Sequence, residues 1–310
     1  MYDTVNFWID RAMVGGDPFS IAPYLNEHTE HNNAERGYSI TGKAGNYSVF
    51  ITEAGISLKG SLSKYLLPYN IHTLTRAATN EAMKKLSDHL HLQLNRAKIT
   101  RVDVSTNLVM KRNPSEYYHY LGNKPHFQRL QATKNTLYYN TGKKQIVFYD
   151  KIKEAKTNRQ EIPVGFENTN LLRVEVRFIK RLLNQFNLPE ITGATLTNEK
   201  FYTEIVKQWA AEYHSINKLK SVTIMDTNNI KTPKDGAEAL FSIILQEKGQ
   251  DFINNYIADL RAKKAFIYPK DYTILKNKLN GLISASTAAE QSELIKELDK
   301  AVNEIVLNCR

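Results

Sequence analysis

Residues 171–179 read LLRVEVRFI. Leu172, Val174, Val176 and Phe178 alternate with Arg173, Glu175 and Arg177, a period of two that an extended strand satisfies. One face is apolar, and the other sets two guanidiniums around a carboxylate. Two more stretches repeat the pattern. In KITRVDVSTNLVM, residues 98–110, Val102, Val104, Thr106 and Leu108 oppose Arg101, Asp103, Ser105 and Asn107. In QIVFYDK, residues 145–151, Ile146 and Phe148 oppose Val147, Tyr149 and Lys151. If the three strands share a sheet, one face is greasy and the other gathers two carboxylates, several cations and a tyrosine. Alternation alone also suits the wet face of a half-exposed antiparallel sheet. The density of opposite charge is high for a plain solvent face.

Around these strands the chain is legible in outline. Val5, Phe7 and Ile9 mark an opening strand, and residues 15–37, with GGDP and many polar side chains, read as a loop. Residues 38–66 read as strands punctuated by Gly42, Gly45, Gly55 and Gly60. A helix is expected over 79–90, capped by Thr79 or Asn80, and a short one from Pro114 to Gly122. TLYYNTGKKQIVFYDK, residues 136–151, is a hairpin turning at Thr141–Lys144. A helical KRLLNQF follows at 180–186. After about residue 195 the pattern is helical. Thr232 caps a helix that starts at Pro233 and stops before Gly249. Two more helices follow it. The last one opens with a Thr287–Glu290 capping box and carries Leu294, Leu298, Val302 and Ile305 on one face. The expected fold class is α+β: an antiparallel-sheet-centred domain over residues 1–195, then a helical domain over 196–310.

Lys and Arg number 42 against 32 acidic residues, a formal charge of +10. That surplus favours a polyanionic partner, nucleic acid before anionic lipid. A single cysteine, Cys309, excludes a disulfide framework or a Cys-based zinc site within one chain. The start MYDTVNFWID has no basic segment followed by an apolar core, and no apolar run approaches the roughly 18 residues of a membrane helix. A cytoplasmic protein with no membrane partner is expected.

The polar strand faces suit chemistry on a phosphodiester. Asp103 and Glu175 are oxygen ligands of the kind a hard divalent cation, Mg2+ or Mn2+, prefers. The cation and nearby Arg or Lys would withdraw charge from a phosphate as it becomes pentacoordinate. Tyr149 would attack in line. A phenol of pKa about 10 needs a cation close by to raise its phenolate fraction.

At this point the sequence resembles the gene-two family of filamentous-phage replication initiators and their plasmid relatives. The likeness rests on the opening MYDTVNFWI, on LKGSLSKYLLPYN at 58–70 with its final Asn70, on ITRVDVSTN at 99–107, on IVFYDKIKE at 146–154 and on LLRVEVRFIKRLLNQFNLP at 171–189. It covers about residues 1–190. The resemblance implies a Rep/relaxase-like nicking domain that starts rolling-circle replication by cutting one strand at an origin and later rejoins it through a 5′-phosphotyrosine. It implies Tyr149 as nucleophile, Asp103 and Glu175 as metal ligands, with Ser105, Asn107 and waters completing the shell, and Arg101, Lys151, Arg173 and Arg177 around the phosphate. The implied partners are origin DNA, single-stranded or supercoiled duplex, a host helicase or replisome, and a second copy of the chain.

Lys134 to Arg181 holds eleven basic residues against five acidic ones. Around such a site this excess would form a groove tracking the DNA backbone. Lys143, Lys144, Lys153 and Arg181 are the expected contacts, and Tyr139 is assigned as the base-stacking member of the Tyr138–Tyr139 pair. Two rivals stand beside this reading. One is a basic module that binds an origin or operator without cutting it. The other is a nickase built on His89-Leu90-His91, with a tyrosine from Tyr117, Tyr118 or Tyr120 on a helix. Leu86 and Leu90 at helical spacing put that histidine pair at a helix end, where the two rings diverge.

Overall fold

The computed structural model describes residues 1–35, 37–67, 69, 71–219, 230–284 and 292–309. Ten strands form one sheet in which every pairing is antiparallel. In chain order they are β1 (Tyr2–Asp10), β2 (Asn26–Asn33), β3 (Gly37–Ala44), β4 (Tyr47–Thr52), β5 (Gly55–Ser61), β6 (Lys98–Met110), β7 (Gln128–Thr133), β8 (Thr136–Asn140), β9 (Lys144–Asp150) and β10 (Asn170–Phe178). Across the sheet the order is β2-β3-β4-β5-β1-β6-β10-β9-β8-β7. The three strands with alternating charge, β6, β10 and β9, are therefore neighbours.

The helices are α1 (Arg11–Val14), α2 (Leu62–Leu66), α3 (Arg76–Leu90), α4 (Pro114–Tyr118), α5 (Lys151–Thr157), α6 (Leu182–Phe186), α7 (Gly193–Thr197), α8 (Glu199–His214), α9 (Pro233–Ala262), α10 (Pro269–Ser284) and α11 (Glu293–Leu307). α3 starts earlier than its apolar spacing suggests, because Thr75 caps it by accepting from Ala78 N, and Thr79 is buried inside. The segment read as a loop at 15–37 instead holds a 3-10 helix, Pro18–Tyr24, and the edge strand β2. All eight β2 residues are exposed, so backbone pairing to β3 forms this strand with no apolar face to announce it. The Thr287–Glu290 capping box and Asn70 lie outside the described residues; α11 is capped by Ser292.

The apolar sheet face is the main core. Val102, Val104, Ile146, Phe148, Val174 and Phe178 pack there with Leu86 of α3, Trp209 of α8 and Leu298 of α11. Trp209 donates Nε1–H to Val174 O at 3.2 Å, which satisfies the one polar atom of its indole. Thus α8 and α11 roof the sheet. A second small core, with Leu245, Ile253, Ile257 and Tyr272, holds α9 against α10. α9 breaks at Gly249, whose φ of 76° is outside the helical region.

Candidate active site on the polar face

The opposite sheet face is polar but not wet. Asp103, Arg173 and Glu175 are 1%, 1% and 3% exposed. One end of this face is roofed by Ile71, Ile152 and Leu171. Buried charges need partners, and the register supplies them. Arg173 lies opposite Tyr149 on β9 and Asn107 on β6, Glu175 opposite Ser105, and Arg177 opposite Asp103 and Gln145.

Tyr149 is half-buried and donates its hydroxyl to Glu175 Oε2 at 3.4 Å. The other oxygen of Glu175 accepts from Arg177 Nε at 2.6 Å, and Arg173 Nε lies 3.5 Å from Oε2. Asp103 takes both arms of Arg101, Nε to Oδ1 at 2.8 Å and Nη2 to Oδ2 at 2.6 Å, the bidentate fork that a guanidinium favours. Arg173 also donates Nη2 to Asp3 Oδ2 at 2.5 Å. Asp3 accepts in turn from Ser61 Oγ. Lys151, fully buried at the start of α5, is paired with Glu154.

These environments set the proton affinities. Burial pushes the Tyr149 phenol well above its usual value, and the Arg173 guanidinium pulls against that rise. Burial raises Asp103 to about 6; Arg101 opposes the rise and Glu175 adds to it. Burial lowers the Lys151 amine, Arg173 lowers it further, and Glu154 restores part of the loss. Asp3 is also penalised by burial, yet Arg173 and the Ser61 hydroxyl hold it below its ordinary value.

The structure therefore brings together Tyr149, Glu175, Arg173 and Arg177, with Asp103, Arg101 and Lys151 beside them. Three expected DNA contacts, Lys143, Lys153 and Arg181, are exposed. Two expected contacts are corrected. Lys144 alternates with Ile146 and Phe148, so it points to the helix-covered face, where it pairs with Glu212 of α8 at 2.5 Å. Tyr139 is fully buried on that same face and donates to Gly122 O at 2.7 Å. Its neighbour Tyr138 takes the Tyr149 side, opposite Val147. Asp3 was missed. A register shift between Tyr2 and Val5 breaks the alternation of β1 and turns Asp3 to the polar face.

The histidine pair does not form a site. His89 ends α3 and hydrogen-bonds Tyr65 through Nδ1 at 2.8 Å, while His91 caps the helix and packs on Tyr24. Tyr117 and Tyr118 of the rival helix are fully buried.

A divalent ion would find suitable donors: two carboxylates and Ser105 Oγ, which is buried with no hydrogen-bond partner among the described residues. Ser105 faces Glu175 and lies two residues from Asp103 on β6. The donors are hard oxygens, the right class for Mg2+ or Mn2+. They are not a finished cage. Both carboxylates are held by guanidiniums, and among the described residues no three Asp, Glu, His or Cys side chains converge on one point.

An α+β protein built on one antiparallel sheet, with a tyrosine set in a buried acid–cation cluster, is the class that fold and site define. The chain belongs to the family described as the N-terminal region of the replication-associated gene-two protein, which matches residues 1–212, up to the last turn of α8. This is a phage replication-protein family, and membership implies DNA as the partner. No curated protein matches the chain. Among the described residues no helix is long and apolar enough to cross a membrane.

Proposed function

We propose that the protein initiates rolling-circle replication by nicking one DNA strand through Tyr149 and later rejoining it. The observation that carries this reading is the Tyr149 hydroxyl, which points at Glu175 and lies across from Arg173, on a polar face whose carboxylates are buried. In the forward step Tyr149 Oη bonds to phosphorus while its proton passes to Glu175 Oε2. The P–O3′ bond breaks, the departing 3′ oxygen takes up a proton from water, and the 5′ phosphate stays on the tyrosine. Arg173 and Arg177 flank the same carboxylate and offset the charge that develops on the phosphate. Arg101 neutralises Asp103 when that group is ionised. Reversal with an incoming 3′ hydroxyl reseals the strand without ATP, because the phosphotyrosine ester retains the energy of the bond that was cut. Bound by Asp103, Glu175 and Ser105, a divalent ion would supply further charge withdrawal at the phosphate.

The test is a covalent adduct. Protein incubated with labelled single-stranded origin DNA and boiled in detergent should carry label. Tyr149→Phe should abolish it, and a chelator should suppress it. Equal labelling by wild type and Tyr149→Phe ends the assignment of the nucleophile. Binding without any adduct favours the rival reading of a non-cutting origin binder, for which the +10 net charge is sufficient.

A further inference from the structure

Beside Tyr149 a groove of about 440 Å³ runs along the polar face of β8 and β9 and is bounded by α5. Its size lies within the range of roughly 300–1,000 Å³ typical of small-ligand sites. Val147 and Tyr138 line it at directly opposed positions of β9 and β8. Tyr138 is only half-buried, so ring surface remains open to the groove. Arg177 lines the groove as well. At another point on its rim Lys153 of α5 reaches Asn135 in the β7–β8 turn, Nζ to Oδ1 at 3.1 Å. The lining is mixed: the Tyr138 ring and Val147 lie beside the cations Arg177 and Lys153, with Asp150 and Glu154 at the α5 end. An aromatic ring next to cations and amides suits a nucleoside, whose base is aromatic and whose backbone is anionic.

The direction of the groove selects which nucleoside. In an in-line displacement the departing oxygen lies opposite the attacking one. The strand that leaves is thus directed away from the sheet carrying Tyr149, whereas the retained nucleoside departs from phosphorus sideways. Tyr138 and Tyr149 are diagonal cross-strand neighbours, since Tyr138 faces Val147 and Thr136 faces Tyr149. Such positions are roughly 7–8 Å apart, within reach of aromatic side chains. We propose that this groove seats the nucleoside that stays joined to Tyr149, with Tyr138 as the ring on which its base stacks. The proposal rests on the nicking reading above and adds to it a seat for the base next to the cut, with the modest base preference that stacking strength gives.

A randomised single-stranded DNA pool tests it. After incubation and detergent treatment, the strands left on the protein are sequenced from the attached end. The wild type should show a base preference at the nucleotide joined to Tyr149. Tyr138→Ala should flatten that preference and reduce adduct yield about tenfold, in line with the loss of one base–aromatic stack. Tyr138→Phe, which keeps the ring, should restore both. A preference that survives in Tyr138→Ala, or falls equally in Tyr138→Phe, overturns the stacking role while leaving the nickase intact. No adduct from the wild type overturns the nicking reading and the subsite with it.

Discussion

Arg173 is the cation through which the polar face holds together. It pairs with Asp3, approaches Glu175, and donates to Asn107 Oδ1 at 3.5 Å. A lysine at that position has one point of charge where the guanidinium has a planar fork. Arg173→Lys should therefore cost about 3 kcal/mol in urea unfolding, the scale set by a buried carboxylate that loses its partner. Asp103 makes a second prediction. Its folded value of about 6 lies above its ordinary 3.8, so the folded chain keeps a proton that the unfolded chain has shed. Stability must then fall as pH rises from about 4 to 6, and stay reduced above. Asp103→Asn should remove that fall, read as urea midpoints at about pH 4.5 and 7. Asp3 has the opposite sign. Its lowered value contributes stability above 3.8 that is lost as pH falls below it, outside the Asp103 window.

At the scale of elements, alternation was a good guide wherever strands were regular. β6 matches its expected bounds, 98–110, and β10 lies within one residue of LLRVEVRFI. The charged faces of these strands were readable for the same reason. Asp3 was hidden because strand parity holds only until a bulge interrupts it, and nothing in MYDTV signals one. Tyr138 and Tyr139 could not be separated without the hairpin register. Lys144 was different: its parity with Ile146 already placed it on the apolar face, but its charge suggested a DNA contact instead. The helix stop at Gly249 was legible from glycine alone. Its φ of 76° and an added Cβ only 3.3 Å from His119 Nδ1 make Gly249→Ala unfavourable. We expect a loss of about 1 kcal/mol, seen as faster amide exchange in α9 and α10, with the Tyr149 adduct unaffected.

For the whole molecule, the charge surplus is distributed unevenly in its use. Lys144 is consumed by α8, whereas Lys143, Lys153 and Arg181 stand exposed along the part of the sheet that carries Tyr149. Each phosphate contact on single-stranded DNA contributes about 0.7 to the slope of log affinity against log salt. Replacing these three by Gln should lower that slope by about 2 in a titration of single-stranded DNA. The N-terminal match ends at residue 212, yet the apolar face is finished by Ile295, Leu298 and Val302 of α11. Lys98–Met110 and Glu293–Leu307, far apart in the sequence, must meet before β6 is fully covered. During synthesis the apolar face is consequently covered in two stages, by α8 first and by Glu293–Leu307 only later. A chain still being translated thus keeps part of its core against water until α11 docks.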